Sequence, residues 1–171
     1  MTDHDAVVYD LDGTLVRLTV DWDAAAADVR EVFREAGHDP EESLWDLLGR
    51  ADDVGIREGV ESVLSEYERA GARASERLPL ADELADASRP AGVCSLNCEA
   101  ACRDALAEHG LAGAVDAVVG RDTVATHKPD PEPLLATLSA MDVPPERAVF
   151  VGDSERDAVA AERAGVAFRR V

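Results

Sequence analysis

The sequence predicts an α/β protein: a parallel sheet covered by helices on both faces, with a small all-helical insertion after its first strand. Three observations carry that prediction. Ala6-Val7-Val8-Tyr9 is a continuous apolar run with β-branched members, as in a strand buried on both sides of a sheet. Similar short runs recur beyond residue 90, alternating with helical stretches, and that alternation builds parallel sheets. Between the first run and the second lie residues 17–76, patterned as helices with no strand among them.

Taken in order, the first strand runs into Asp10-Leu11-Asp12-Gly13-Thr14, where Gly13 permits a sharp turn. Residues 15–20 alternate loosely, as a short extended flap would. Val29, Val32, Phe33 and Ala36 share one helical face, and Gly37 stops that helix. Asp39-Pro40 has the form of an N-cap and first helical position ahead of Leu44, Leu47 and Leu48. Ile56, Val60, Val63, Leu64 and Tyr67 trace a third helix, with Gly71 beyond it. A short helix over 80–87 leads to a second strand over 91–95. Asn97 is placed to cap the next helix, whose inner face carries Cys98, Ala101, Cys102, Ala105 and Leu106. Residues 115–119 make the third strand, and Asp130-Pro131 opens a helix with Leu134, Leu135 and Leu138 inward. The fourth strand spans 147–151, Ser154 caps the helix to Gly165, and 166–168 form a short fifth strand.

A chain of 171 residues is one domain, or one domain with an insertion, and can bury its core without disulfide or metal staples. Acidic side chains number 36 against 17 basic, a formal net charge of −19. Such a field repels nucleic acid and anionic membranes, so neither is an expected partner. Lys128 is the only lysine beside sixteen arginines. An acidic, lysine-poor surface resembles that of proteins from salt-accumulating organisms, where ionic strength screens self-repulsion. No apolar run approaches a membrane span, and the acidic N-terminus lacks the regions of a signal peptide, so a cytoplasmic location is expected. Cys94, Cys98 and Cys102 read as buried small hydrophobes rather than disulfide partners or metal ligands.

Chemistry gathers at the strand ends, the edge where open parallel sheets bind ligands. The first strand presents Asp10 and Asp12, the second Ser95, and the fourth Asp153 with Asp157 a helical turn later; the loop after the third presents Lys128. Crowded carboxylates raise one another's pKa unless a cation neutralises them. Mg²⁺, held by carboxylates, waters and substrate phosphate oxygens, is the usual cation. Alone, the first stretch reads equally well as a solvated turn. Four carboxylates, a hydroxyl and the only lysine on one edge are hard to obtain without a function.

In these residues the sequence resembles the haloacid dehalogenase superfamily, in its phosphatase branch, close to phosphoglycolate phosphatase-like members with a small helical cap. Asp10-Leu11-Asp12-Gly13-Thr14 matches the first family motif and Ser95 the second. Lys128-Pro129-Asp130-Pro131 matches the third, and Gly152-Asp153-Ser154-Glu155-Arg156-Asp157 the fourth, in family order. The resemblance implies a three-layer Rossmann-like core over 1–16 and 77–171, with a cap over 17–76. It implies Mg²⁺-dependent hydrolysis of a small phosphorylated metabolite. Asp10 would attack phosphorus to form an aspartyl-phosphate, and Asp12 would serve as acid and then base. Ser95 and Lys128 would hold the phosphoryl group. Asp10, the backbone carbonyl of Asp12 and Asp153 would hold the metal, with Asp157 supporting it directly or through water.

Other roles compete at several positions. Asp157 also completes a capping box with Ser154, and the two roles are compatible. His127 reads as a loop residue, while Arg17 and Trp22 stand just after the first motif, where cap-hinge residues could touch substrate, although such a tryptophan usually packs. Relatives often carry asparagine directly after the second-motif residue, whereas here Leu96 intervenes before Asn97, which bears on substrate contacts. The same fold serves phosphomutases, dehalogenases and non-catalytic binding modules. Asp12 argues against dehalogenation, which needs no acid/base there, and the full set of core residues argues against a mere binding module.

Overall fold

The computed structural model describes residues 4–171. The chain runs β1 (Ala6–Tyr9), β2 (Val16–Arg17), α1 (Trp22–Glu35), α2 (Leu44–Asp53) and α3 (Arg57–Arg73). β3 (Glu76–Arg77) and α4 (Leu80–Ala85) lead back to β4 (Ala91–Cys94). Helices and strands then alternate: α5 (Glu99–Glu108), β5 (Ala117–Val119), α6 (Glu132–Ala140), β6 (Ala148–Gly152), α7 (Glu155–Ala164) and β7 (Ala167–Arg170).

Five parallel strands form one sheet in the order β5-β4-β1-β6-β7. β1 takes the centre because its four apolar residues are all buried. Its side chains alternate between layers. Val7 and Tyr9 pack with Val93 against α4 and α5, while Val8 packs with Cys94 and Phe150 against α6 and α7. The expected three-layer α/β architecture is therefore present. Chain order steps outward from β1 through β4 to β5, then returns to the far side of β1 for β6. Such a reversal between neighbouring strands is where open α/β sheets form their ligand crevice.

α1, α2 and α3 build a hydrophobic cluster of their own around Val29, Phe33, Leu47, Leu48, Val60 and Leu64. Phe33 is fully buried, and truncating it to Ala would cost about 3–5 kcal/mol. A two-residue antiparallel ribbon of β2 and β3 closes the insertion, with Val16 opposite Arg77 and Arg17 opposite Glu76. The flap expected over 15–20 thus becomes a strand, and both edges of the helical stretch are extended.

Local signals misled in four places. Asp39-Pro40 is not the cap of α2; Ser43 is, its Oγ accepting from the Asp46 amide. Gly71 lies inside α3 rather than beyond it, pressed onto the segment after β2. A Cβ there would meet Val20 Cγ2 at 2.5 Å and the Thr19 carbonyl at 2.8 Å. Cys98, not Asn97, occupies the cap position of α5. Leu134 and Leu138 face inward, but Leu135 is exposed. The cysteines match expectation: all three are free and buried, and burial pushes the Cys94 and Cys98 thiols up to about 11. No described helix is long and apolar enough to cross a membrane.

Candidate active site

Beyond β1 the chain turns tightly, the Gly13 amide donating to the Val16 carbonyl at 2.8 Å and the Leu15 amide to the Leu11 carbonyl at 2.9 Å. Gly13 has φ +82°, a left-handed conformation that favours glycine, and its missing side chain leaves room for the Asp153 carboxylate. Residues from β1 and β6 therefore meet over this turn.

Lys128, 3 % exposed, reaches in from the loop between β5 and α6. Its Nζ donates to Asp10 Oδ1 at 2.9 Å, to Asp157 Oδ1 at 2.6 Å and to the Cys94 carbonyl at 3.0 Å. Three protons find three acceptors. Burial disfavours the ammonium, but the carboxylates, Asp10 foremost, outweigh it and hold Lys128 above the usual lysine range. Asp10 moves the other way: burial lifts it to about 6, Lys128 pulls it down, and the Asp157 charge adds to the rise.

Asp157 is pinned by the capping box. Its Oδ2 accepts from the Ser154 amide at 3.1 Å, while its amide donates to Ser154 Oγ at 3.2 Å. One carboxylate oxygen completes the box and the other faces Lys128. Asp10, Asp153 and Asp157 each bring an oxygen within 4.8 Å of the others. Such hard oxygen donors suit Mg²⁺ rather than a soft metal. Asp12 keeps its side chain out of that group. Its Oδ1 accepts from the Leu18 amide at 2.9 Å, and burial raises its pKa. Ser95 is buried at the end of β4, where its Oγ accepts from the Asn97 amide at 3.1 Å and from Asn97 Nδ2 at 3.2 Å. Asn97 is thus turned onto Ser95.

Asp10, Asp12, Ser95, Lys128, Asp153 and Asp157 line one pocket of about 160 Å³. Trp22 and Trp45 bound it from the insertion, their rings 5.7 Å apart and inclined by 53°. Trp22 combines both expected possibilities, packing against the insertion core and facing the pocket. Arg17 is not among the lining residues; it pairs with Glu76 at 3.2 Å across the β2–β3 ribbon. His127 lines an adjoining pocket of about 200 Å³ with Trp45 and Arg156.

Sequence reasoning missed Trp45 and Arg156. Trp45 is a large aromatic left exposed on a helix whose apolar face is otherwise buried, and that was a usable signal. Arg156 alone among the sixteen arginines makes no side-chain hydrogen bond or ion pair within the described residues. It lines both pockets.

Fold and site define an α/β enzyme with carboxylates, a lysine and a serine gathered where the strand order of a parallel sheet reverses. Residues 7–171 match the family model of the haloacid dehalogenase-like hydrolases. The phosphoglycolate phosphatase of Rhodospirillum rubrum is 35% identical over 188 residues, covering 94% of this chain and 76% of that protein. A subfamily IA haloacid dehalogenase-superfamily hydrolase from Geobacter sulfurreducens has a TM-score of 0.65 at 27% identity, over 96% of this chain and 88% of that one. CbbY from Rhodobacter sphaeroides, solved in complex with xylulose-(1,5)bisphosphate, shares the fold at a TM-score of 0.66 and 23% identity, over 96% and 84%. The chain belongs to the haloacid dehalogenase-like hydrolases and is a phosphatase of that family.

Proposed function

We propose that this protein is a Mg²⁺-dependent phosphomonoester hydrolase for a small phosphorylated metabolite, working through a phosphorylated Asp10. One observation carries the reading: Lys128 grips Asp10 and Asp157 together, with Asp153 beside them, in a single pocket. Asp10 is the attacking carboxylate, and a carboxylate nucleophile splits one hard displacement into two easier steps. The Lys128 ammonium, 2.9 Å from Asp10 Oδ1, favours the charged form that attacks. Asp12, two residues on and raised by burial, is tuned to give a proton to the leaving alkoxide and then take one from water. Lys128 sets a compact positive charge against the phosphoryl oxygens. Because Ser95 Oγ accepts both its Asn97 hydrogen bonds, its own proton is left to donate to the phosphoryl group.

The carboxylates of Asp10, Asp153 and Asp157, with the Asp12 backbone carbonyl, would hold Mg²⁺. Bound there, the cation neutralises the carboxylates and admits an anionic phosphate. Residues 17–76 serve as a cap on a core of 1–16 and 77–171. The pocket's volume and its two tryptophans favour a small substrate enclosed away from water. Relatives named for phosphoglycolate support a substrate of that size. Arg156, without side-chain partners among the described residues, is the cation available to the substrate's far end.

The test is a screen of p-nitrophenyl phosphate and a panel of phosphorylated metabolites, with and without Mg²⁺, in molar KCl. Turnover should require the cation and vanish in Asp10→Asn. Rates unchanged by a chelator or by that substitution would overturn the reading. Sugar bisphosphates should release phosphate without an isomerised product, which separates a hydrolase from a mutase.

A further inference from the structure

Beside the catalytic loop lies a second buried charge cluster. Arg121, two residues past β5, has a side chain with no solvent exposure. Its Nε and Nη2 donate to Glu61 at 3.1 and 2.8 Å, and both Nη atoms donate to Glu68. Both glutamates belong to α3, and Glu68 is itself wholly buried. Arg57 joins from the side, donating to Glu61 at 3.0 Å.

The cluster does more than pair charges. Arg121 Nη1 donates to the Leu96 carbonyl at 2.9 Å, and the Arg121 amide donates to the Asn97 carbonyl at 2.9 Å. Glu68 Oε2 accepts from the Cys98 amide at 2.9 Å. Three consecutive residues after Ser95 thus each have a backbone group tied to Arg121 or Glu68. Stability alone is a weak reason for such a cluster, since apolar residues of like volume often serve as well or better. A planar guanidinium, with five donors in a fixed fork, sets directions that an apolar contact does not.

We propose that Arg121 and Glu68 are positioning residues: they fix the 95–98 loop so that Ser95 Oγ meets the phosphoryl group, and they fasten α3 to that loop. The claim rests on the phosphatase reading for what the loop binds, but not for how the loop is held. α3 packs with α1 and α2, which carry Trp22 and Trp45, so one cluster sets the loop and steadies the helices of the opposite pocket wall.

The test compares Arg121→Lys, Glu68→Ala and Glu68→Gln in the full chain with Mg²⁺ present. Lysine keeps the charge but loses the fork, while glutamine keeps an oxygen for the Cys98 amide. Arg121→Lys and Glu68→Ala should raise KM for p-nitrophenyl phosphate and Kd for orthophosphate about tenfold, with kcat changing less. Amide exchange at residues 96–98 should accelerate about tenfold while β1 is unchanged. Glu68→Gln, whose amide nitrogen faces Arg121 Nη1, should fall between wild type and Glu68→Ala in all three readouts. Folded variants with a lower melting temperature but wild-type KM, phosphate affinity and exchange would overturn the proposal and leave a plain structural brace. If Arg121→Lys does not fold, the two Glu68 variants decide between these outcomes. A wild type inactive on every phosphomonoester would sink the functional reading, and exchange at 96–98 would still decide whether the cluster orders the loop.

Discussion

Two buried clusters in this molecule share a formula, one cation gripping two carboxylates, and differ in what they leave unfinished. At Arg121, burial pushes Glu61 up, but the hydrogen bonds and charges of Arg121 and Arg57 pull it below the ordinary carboxylate range. That cluster is compensated and closed. At Lys128 the ammonium already meets three acceptors, yet Asp10 remains raised to about 6, and Asp153 stands exposed beside it as a third carboxylate. The rim cluster is short of positive charge, as a site prepared for a cation and a phosphate would be. In the proposed reading the same pairing of charges makes a fastening in one place and a reactive centre in the other.

The sharpest way to separate them is chemical. Asp10→Asn should lower kcat by roughly 10⁴-fold or more, with circular dichroism and a cooperative melt unchanged. No substitution at Glu61 should approach that loss. The next largest effect is on stability. Arg121→Met leaves Glu68 buried without its cation, while Glu61 keeps Arg57, and urea unfolding should show a loss of about 3–5 kcal/mol. Lys128→Met creates the same deficit at the rim, but there Mg²⁺ can take the ammonium's place. Saturating Mg²⁺ should therefore stabilise Lys128→Met more than it stabilises the wild type, while Arg121→Met, whose rim is intact, should gain only what the wild type gains. A Mg²⁺ gain no larger in Lys128→Met than in Arg121→Met would break the comparison.

Acid should tell them apart more gently. The folded pKa of Glu61 lies below its ordinary 4.5, so its contribution is complete above that value and fades as pH falls through the depressed range. The melting-temperature gap between wild type and Glu61→Gln should therefore be largest at neutral pH and close in acid; a gap that widens as pH falls would contradict the sign. The smallest effect belongs to the surface as a whole. With a net charge of −19, the wild type should melt a few degrees higher in molar KCl than in dilute buffer, and equal melting temperatures would remove that expectation.

The rim could be read from the chain because its residues, Lys128 in the β5–α6 loop excepted, follow a visible apolar strand or begin a capped helix. Asp10 ends Ala6–Tyr9, Ser95 follows Ala91–Cys94, and Asp153 follows Ala148–Gly152, so the period of the strands alone set them on one edge. The Arg121 cluster could not be read that way, because its partners lie 53 and 60 positions away and charged residues usually mark a solvated face. A trace did exist: Glu68 continues the stripe of Val60 and Leu64 at i+8 and i+4, a carboxylate where α3 buries its apolar side. Asp39-Pro40 failed for another reason. Its capping chemistry is sound, but Ser43 lies nearer the first buried leucine and caps α2 instead. Gly71 reads as lying beyond α3 because close approach of two backbones calls for the same residue as a turn.

The most direct measurement is acid-quench trapping of the phosphorylated enzyme from a ³²P-labelled substrate, followed by peptide mapping. Label should appear on the peptide carrying Asp10, turn over when chased with water and Mg²⁺, and be missing from Asp10→Asn. Label on another peptide, or steady turnover by Asp10→Asn, would contradict a reaction centred on the rim carboxylate.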